Sequence, residues 1–318
     1  MEVLAIALAL VVALVAGWIA IVVGRRLGIA DVPDDDLKPH QGAPVPLGGA
    51  VLLIAAHVGL AVIGIFDVAL LAASLLVWVV GMIDDLWGLS SILRLLASIS
   101  AGVVLVALSE RPFDTGEAIF WVVAVAVVVN AVNLLDGLDA LVGSVATVAV
   151  LGVTWFGFIQ GSSGPLAPLV IAGALIGFLY WNRPEAQLFL GDNGAYVLGV
   201  FLVWAAMWVS PDRMGGVVAV GLIGVPLLDL GVTVFRRGLS SAPLFSGDRD
   251  HTYDRLHWHG MSEGSIALVY SIAQAIWVAI VVAVSFYWGD LPGAITALVL
   301  GVVAAGAVGG WMTVSRRA

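Results

Sequence analysis

The chain contains no cysteine, which excludes both a disulfide framework and a thiolate metal centre. Charge is also scarce. Asp, Glu, Lys and Arg together make up 11% of the 318 residues, and lysine occurs once, at Lys38. A chain so poor in charge cannot cover the surface of a water-soluble globule, and no nucleic-acid partner is expected of it. What it has instead is hydrocarbon: 61% of residues are hydrophobic and mean hydropathy is +1.10. It therefore reads as an integral membrane protein. The net charge of −9 names no partner by itself, because in such a chain the position of each charge decides its role.

The first apolar run, Val3 to Gly24, is too long for a signal-peptide core. Glu2 precedes it and Arg25 and Arg26 follow it, so it reads as an uncleaved transmembrane helix whose C-terminal end is cytoplasmic. Spanning the hydrocarbon takes about 20 apolar residues. Breaking the chain at charges, Gly and Pro gives about eleven spans, near 3–24, 47–66, 68–83, 92–108, 118–135, 138–159, 166–181, 194–210, 216–235, 265–287 and 293–312. The expected fold is one all-α polytopic domain over 1–318, with 10–11 transmembrane helices and active-site loops on the cytoplasmic side.

Basic residues test this count. With the N-terminus outside a plasma membrane, Arg25, Arg26, Lys38, Arg183, Arg236, Arg237, Arg249, Arg255, Arg316 and Arg317 fall on the cytoplasmic side. Only Arg111 and Arg213 lie outside, and Arg94 sits just inside a cytoplasmic helix end. The polar clusters sort to the same side. The outer loops hold scattered acids: Asp67, Glu110, Asp114, Glu117, Asp212 and Asp290.

Five cytoplasmic stretches carry chemistry. GMIDDLWGLS places Asp84 and Asp85 at a span end, where both can approach a cation only if the helix frays, since successive helical residues diverge by about 100°. A helix-end acid pair in the headgroup region is the plain alternative. NAVNLLDGLDALVG puts Asn130, Asn133 and Asp136 along one side of a helix, with Asp139 after Gly137. Packing glue accounts for one buried amide. It does not account for two amides and two acids, because ionisable groups at membrane depth mark a substrate or ion path.

WNRPEAQLFLGDNGAYVLG carries Asn182, the flat ring of Phe189, and Asp192 between Gly191 and Gly194. Asp192 is a hard oxygen donor suited to magnesium, and an ordinary helix N-cap is the alternative. FRRGLSSAPLFSGDRDHTYDRLHWHGMS reads as the longest cytoplasmic loop, with Arg249 and His251 able to face phosphates. Arg236 and Arg237 are expected at lipid headgroups, and His257 and His259 in solvent. KPHQGAPVPLGGA offers Lys38 to an anion or to the membrane surface. His57 reads as a packed, hydrogen-bonded histidine within a span.

In this order, KPHxxxxPVPLGG, DDLWGLS, NxxNLLDGLDAL, FLGDNGAYxLG and PLLDxxxxxxRR…GDRDH resemble the polyprenyl-phosphate N-acetylhexosamine-1-phosphate transferases over roughly residues 38 to 256. The resemblance implies that a membrane-embedded polyprenyl phosphate attacks the β-phosphate of a UDP-sugar and releases UMP, with magnesium, or manganese in its place, as cofactor. It implies Asp84 and Asp85 near the phosphates, Asp192 as a metal ligand with the Asn133 amide beside it, and Asp136 and Asp139 lining the nucleotide pocket. It further implies Phe189 stacked on uracil, and Arg249 and His251 near the sugar diphosphate. Asn182 and Lys38 join the substrate-binding set.

Ala140 and Ala195 replace a glycine and a serine of the pattern, Tyr253 and Asp254 replace histidines, and Gly88 stands where the peptidoglycan branch carries lysine. These departures argue against a muramoyl-pentapeptide substrate and for the N-acetylglucosamine-1-phosphate branch. A homodimer is left open. Two other readings remain: a secondary transporter, which would need discontinuous helices at the bilayer midplane, and a non-catalytic family member.

Overall fold

The eleven apolar stretches are helical, one of them (216–235) as two helices, in the computed structural model, which describes residues 1–31, 44–162, 164–210, 212–240 and 250–315. Lys38 and Arg249 lie outside the described residues. The helices are α1 (Glu2–Leu27), α2 (Gly49–Val62), α3 (Val68–Trp87), α4 (Ser91–Ala107), α5 (Thr115–Leu135), α6 (Leu141–Ile159) and α7 (Leu169–Asn182). They continue with α8 (Gly191–Val209), α9 (Arg213–Gly221), α10 (Gly224–Ser240), α11 (Thr252–Trp258), α12 (Glu263–Trp288) and α13 (Asp290–Ser315). Two short strands, β1 (Ala30–Asp31) and β2 (Val45–Pro46), pair antiparallel, Ala30 opposite Pro46.

Among the described residues, seven helices are long and apolar enough to cross a membrane, and the bent pair α9–α10 would make an eighth. The protein is thus an all-α, multi-pass membrane protein. Helices α2, α4 and α7 are apolar but shorter.

The middle of the bundle is α8, buried along nearly its whole length and packed by α3, α5, α2 and α6. It runs antiparallel to α3: Gly81 abuts Asn193 at one end, and Trp204 Nε1 donates to Asp67 Oδ2 at 2.8 Å at the other. It also runs antiparallel to α5, since Gly199 abuts Val129 and Arg111, just before α5, donates to the Ser210 carbonyl at 2.7 Å. Val129 lies seven residues before Asp136 and Gly199 seven after Asp192. The C-terminal ends of α3 and α5 and the N-terminal end of α8 therefore share one end of the bundle, and Asp84, Asp85, Asp136 and Asp192 lie there.

At the other end the scattered acids have structural duties. Asp67, Asp114 and Asp212 are the N-caps of α3, α5 and α9, accepting the Leu70, Glu117 and Gly215 N–H groups. Arg111 pairs with Glu117 at 2.6 Å, Arg213 with Asp114 at 2.5 Å, and Gln160 donates to Asp290. His57 meets its expectation, with Nδ1 2.8 Å from the Leu53 carbonyl.

The expectation of one straight span over 216–235 is corrected. Helix α9 stops at Gly221 and α10 restarts at Gly224, bent by 75°. A break within a bundle leaves backbone groups without intrahelical partners, and α12 supplies them. The buried Gln274 accepts the Val225 N–H at 2.9 Å and donates to the Leu222 carbonyl at 2.6 Å, while Trp277 Nε1 donates to the Gly221 carbonyl at 2.9 Å. No pattern of hydropathy reports such a partner, because it comes from a helix about fifty residues away. Gln274→Leu is expected to orphan both backbone groups and destabilise the protein by about 1–3 kcal/mol. Thermal unfolding in detergent reads this, and an unchanged midpoint would contradict the role.

Candidate active site

Asp85 organises the site. Its Oδ1 accepts the Asp192 N–H at 2.9 Å, and its Oδ2 accepts the Asn193 N–H at 3.1 Å and the Asn193 amide at 2.5 Å. The first N–H groups of α8 have no partner in their own helix, so a carboxylate from α3 caps α8 from outside. The cap requires close contact, and Gly81, one turn earlier, permits it. A Cβ there would lie 2.4 Å from Asn193 Cα.

Asp84 faces elsewhere. Helix α3 does not fray but continues to Trp87, so the two acids diverge as helical geometry demands. Asp84 is buried. Its Oδ1 accepts the Leu89 N–H at 2.7 Å, and its Oδ2 accepts the Tyr196 hydroxyl at 2.7 Å and pairs with Arg94 Nε at 2.9 Å. Arg94 also donates to the Leu89 carbonyl at 3.1 Å. Arg94, Asn193 and Tyr196 were not among the sequence candidates. Tyr196 was within reach of pattern reasoning, one turn beyond Asp192. Arg94 belongs to a different helix and has only its charge at a helix end as a signal.

Asp192 occupies the first turn of α8 rather than its cap, is half-buried, and lies in the field of Asp84, Asp85 and Arg94. Among the described residues no group of three or more His, Asp or Glu side chains is arranged to hold a metal ion. Magnesium often takes only one or two carboxylates and completes its octahedron with water and substrate phosphate. A single oxygen donor at Asp192, with two further carboxylates beside it, fits that habit. Asn133 stands two residues before the end of α5. Asn130, in contrast, is packing glue, donating to Ser98 of α4 at 3.3 Å and to the Ala126 carbonyl.

The turn after α5 meets the segment after α7. Asp136 ends α5. Asp139 Oδ2 accepts the Ala186 N–H at 2.9 Å, and its own N–H donates to Glu263 of α12 at 2.9 Å. Asn182 is buried as a brace: Oδ1 accepts the Ala140 N–H at 3.1 Å and Nδ2 donates to the Leu188 carbonyl at 3.0 Å. Phe189 is half-buried and joined to the entry of α2, its N–H donating to Pro46 and its carbonyl accepting from Gly48. Asp139 lies outside the membrane-spanning helices. Burial pushes its carboxyl up to about 6, the Ala186 N–H pulls it down, and the Glu263 carboxylate adds a further upward push.

His251 closes this end from the last segment. It is buried, with Nδ1 2.8 Å from Asp229 Oδ2, and its ring stacks on Tyr253 at 5.1 Å. Tyr253 donates to the Leu134 carbonyl at 2.9 Å and lies where a Cβ on Gly137 would be, at 2.3 Å from its hydroxyl oxygen. The glycine of the DGLD turn is thus an imprint of the tyrosine. Two expectations for this region are corrected. Arg236 and Arg237 are buried rather than spread toward headgroups, and Arg236 pairs with Asp250 at 3.2 Å, a carboxylate it shares with Arg255. The loop also contains α11, which places His257 in a helix.

Residues 68–210, which run from the first residue of α3 to the end of α8, match the model described as glycosyl transferase family 4. A putative glycosyltransferase of Streptomyces coelicolor is 31% identical over 280 residues, covering 84% of this chain and 67% of that protein. The chain belongs to glycosyl transferase family 4. The family stretch contains the acid pair, the DGLD turn and the GDNG helix start. Also similar are a probable undecaprenyl-phosphate N-acetylglucosaminyl 1-phosphate transferase of Bacillus subtilis and a decaprenyl-phosphate N-acetylglucosaminephosphotransferase of Mycobacterium tuberculosis. The first is 26% identical over 276 residues (78% of this chain, 75% of the relative). The second is 28% identical over 251 residues (67% and 61%), so the chain spans less than two thirds of the mycobacterial protein's length.

Gly81→Ala is expected to force α3 and α8 apart and destabilise the protein by about 1–3 kcal/mol. Val79→Ala, on the exposed side of α3, serves as the control in detergent melting, and equal losses would contradict the contact. Asp139 supplies a pH test. An unfolded aspartate titrates near 3.9, so the raised folded value stabilises below about pH 4 and that contribution is lost as pH rises through about 6. The melting temperature of the wild type should fall more steeply across this window than that of Asp139→Asn; parallel slopes would remove the assignment.

Proposed function

We propose that the protein transfers N-acetylglucosamine 1-phosphate, or a closely related sugar 1-phosphate, from a UDP-sugar to a polyprenyl phosphate. One observation carries the reading: three carboxylates from two helices, together with the DGLD turn and the last histidine segment, converge on one end of a membrane bundle. The similar proteins from Bacillus subtilis and Mycobacterium tuberculosis are named for this transfer. The site end, where Arg25, Arg26, Arg94 and Arg183 also lie, is proposed to face the cytoplasm of a plasma membrane, following the basic-residue rule.

In the reaction an oxygen of the lipid phosphate attacks the β-phosphorus of the UDP-sugar. The bond from that phosphorus to the bridging oxygen breaks, and UMP leaves. Such transfer depends on positioning and charge neutralisation more than on covalent help. Magnesium, held by Asp192 with Asn133 beside it, would polarise the diphosphate and offset charge on the leaving UMP.

The protein's own residues do the rest. Asp85 fixes the start of α8 and so the place of Asp192. Asp84 receives three donors, which suits it to hold Arg94 and Tyr196 in place. Asp136 and Phe189 edge the space proposed for the nucleotide, and His251, oriented by Asp229, borders it. Lys38 and Arg249 are proposed to meet the diphosphate. The need to act where the lipid phosphate resides explains why these polar groups gather at a helix-end level.

The transporter reading is less favoured by the one interrupted helix pair among the described residues, α9–α10. Its freed backbone groups are filled by Gln274 and Trp277, whereas a substrate or ion site would use such groups itself. Asp192→Ala is expected to leave a folded, membrane-inserted protein that releases no UMP from UDP-N-acetylglucosamine and polyprenyl phosphate, with or without added magnesium. Undiminished turnover would remove the metal assignment. A wild type inert toward a panel of UDP-sugars would remove the reaction itself.

A further inference from the structure

Among the described residues only two that are not glycine adopt a left-handed backbone: Ala140 at φ 60° and Glu185 at φ 65°. A side chain in that region is strained, and it persists only where the surroundings over-determine it. These two residues belong to different segments, yet they flank one contact. Asp139, just before Ala140, accepts through Oδ2 the N–H of Ala186, just after Glu185, at 2.9 Å. Strain on both sides of a single hydrogen bond calls for an anchor.

Ala140 is held by Asn182, which accepts its N–H at 3.1 Å. The Asp139 N–H is held by Glu263 Oε2 at 2.9 Å. Glu263 lies in the first turn of α12, half-buried, some 124 residues along the chain, and in none of the motifs. Its side chain therefore grips the turn from behind while Asp139 grips the opposite segment. Glycine at position 140 would accept the left-handed turn without strain. This chain has alanine and keeps the turn by anchoring it.

We infer that Glu263 is a positioning residue for the sugar nucleotide: by anchoring the 136–140 turn it lets Asp139 clasp the 183–190 segment, which sets the gap between Asp136 and Phe189. The inference rests on the transferase reading above and extends it to a residue outside the family-matched stretch. The groups acting on Asp139 are the Glu263 carboxylate from α12 and the backbone N–H groups of Glu185 and Ala186 from the segment after α7.

The test uses the full chain in detergent, with UDP-N-acetylglucosamine and polyprenyl phosphate as substrates. A hydrogen bond to a charged acceptor is worth about tenfold or more in an equilibrium. Glu263→Ala should therefore raise the KM for the nucleotide sugar about tenfold, with a smaller change in kcat. Glu263→Gln can still accept the Asp139 N–H. It should preserve KM but shift the pH dependence of KM to lower pH, because a negative charge beside Asp139 is gone. Ala140→Gly placed on Glu263→Ala should restore much of the lost affinity by removing the strain.

A second readout does not depend on activity. The chain has no cysteine, so Ala186→Cys gives a single thiol whose labelling by a charged maleimide reports the clasp. Glu263→Ala should speed that labelling about tenfold, and Glu263→Gln should not. Labelling indifferent to Glu263→Ala overturns the clasp. Faster labelling with an unchanged KM overturns the positioning role. A wild type that releases no UMP, while its labelling still responds to Glu263→Ala, refutes the transferase reading and leaves only a structural brace.

Discussion

The architecture depends on a carboxylate from one helix closing the open end of another. The start of α8 is packed against α3 and α2 at the site end of the bundle, its first N–H groups have no partner in their own helix, and a helix end buried without partners is costly. Asp85 removes that cost from α3, and Gly81 lets the two backbones meet closely enough for it to do so. Once this contact is made, the position of Asp192 follows, because it is the second residue of the capped helix. Asp84, one position earlier on α3, is turned toward Tyr196 and Arg94 by the same helical geometry. Two adjacent aspartates thus perform two different tasks.

Around that contact the remaining polar groups form a chain of mutual supports rather than an open cluster of charges. Asn182 ties the DGLD turn to the segment before α8, Asp139 ties it again, and Phe189 ties that segment to the entry of α2. Tyr253 presses on Gly137 while its ring stacks on His251, which Asp229 holds. Ionisable groups at the edge of hydrocarbon persist only when each has partners. The same requirement that keeps them from destabilising the fold also fixes the shape of the space between them.

Much of this was legible along the chain. Ten of the eleven apolar stretches became single helices, since a segment in lipid must satisfy its backbone internally and helices do so locally. The site acids stood out because they interrupt hydrocarbon. Asn130 could be read either as glue or as a site residue from its spacing, and its bond to Ser98 made it glue. The break between α9 and α10 was not legible, because the groups that permit it are Gln274 and Trp277 on α12. Arg236 carried the signature of a headgroup contact, but its counter-charge Asp250 folds back onto it. Glu263 had no local signal beyond being an acid at a helix start.

The sequence alone determined the solvent in which this chain folds, the helical class, and the residues whose polarity is out of place in that solvent. Those are properties of composition and of short-range periodicity, and any neighbourhood in the bilayer would enforce them. Only the tertiary structure decided what each polar residue does: which aspartate caps, which holds an arginine, which is left beside the amide-rich helix start, and which turn is held under strain. Those assignments depend on pairs separated by tens to hundreds of residues, and a hydrogen bond a few ångströms long is specified by where two helices meet, not by either helix alone.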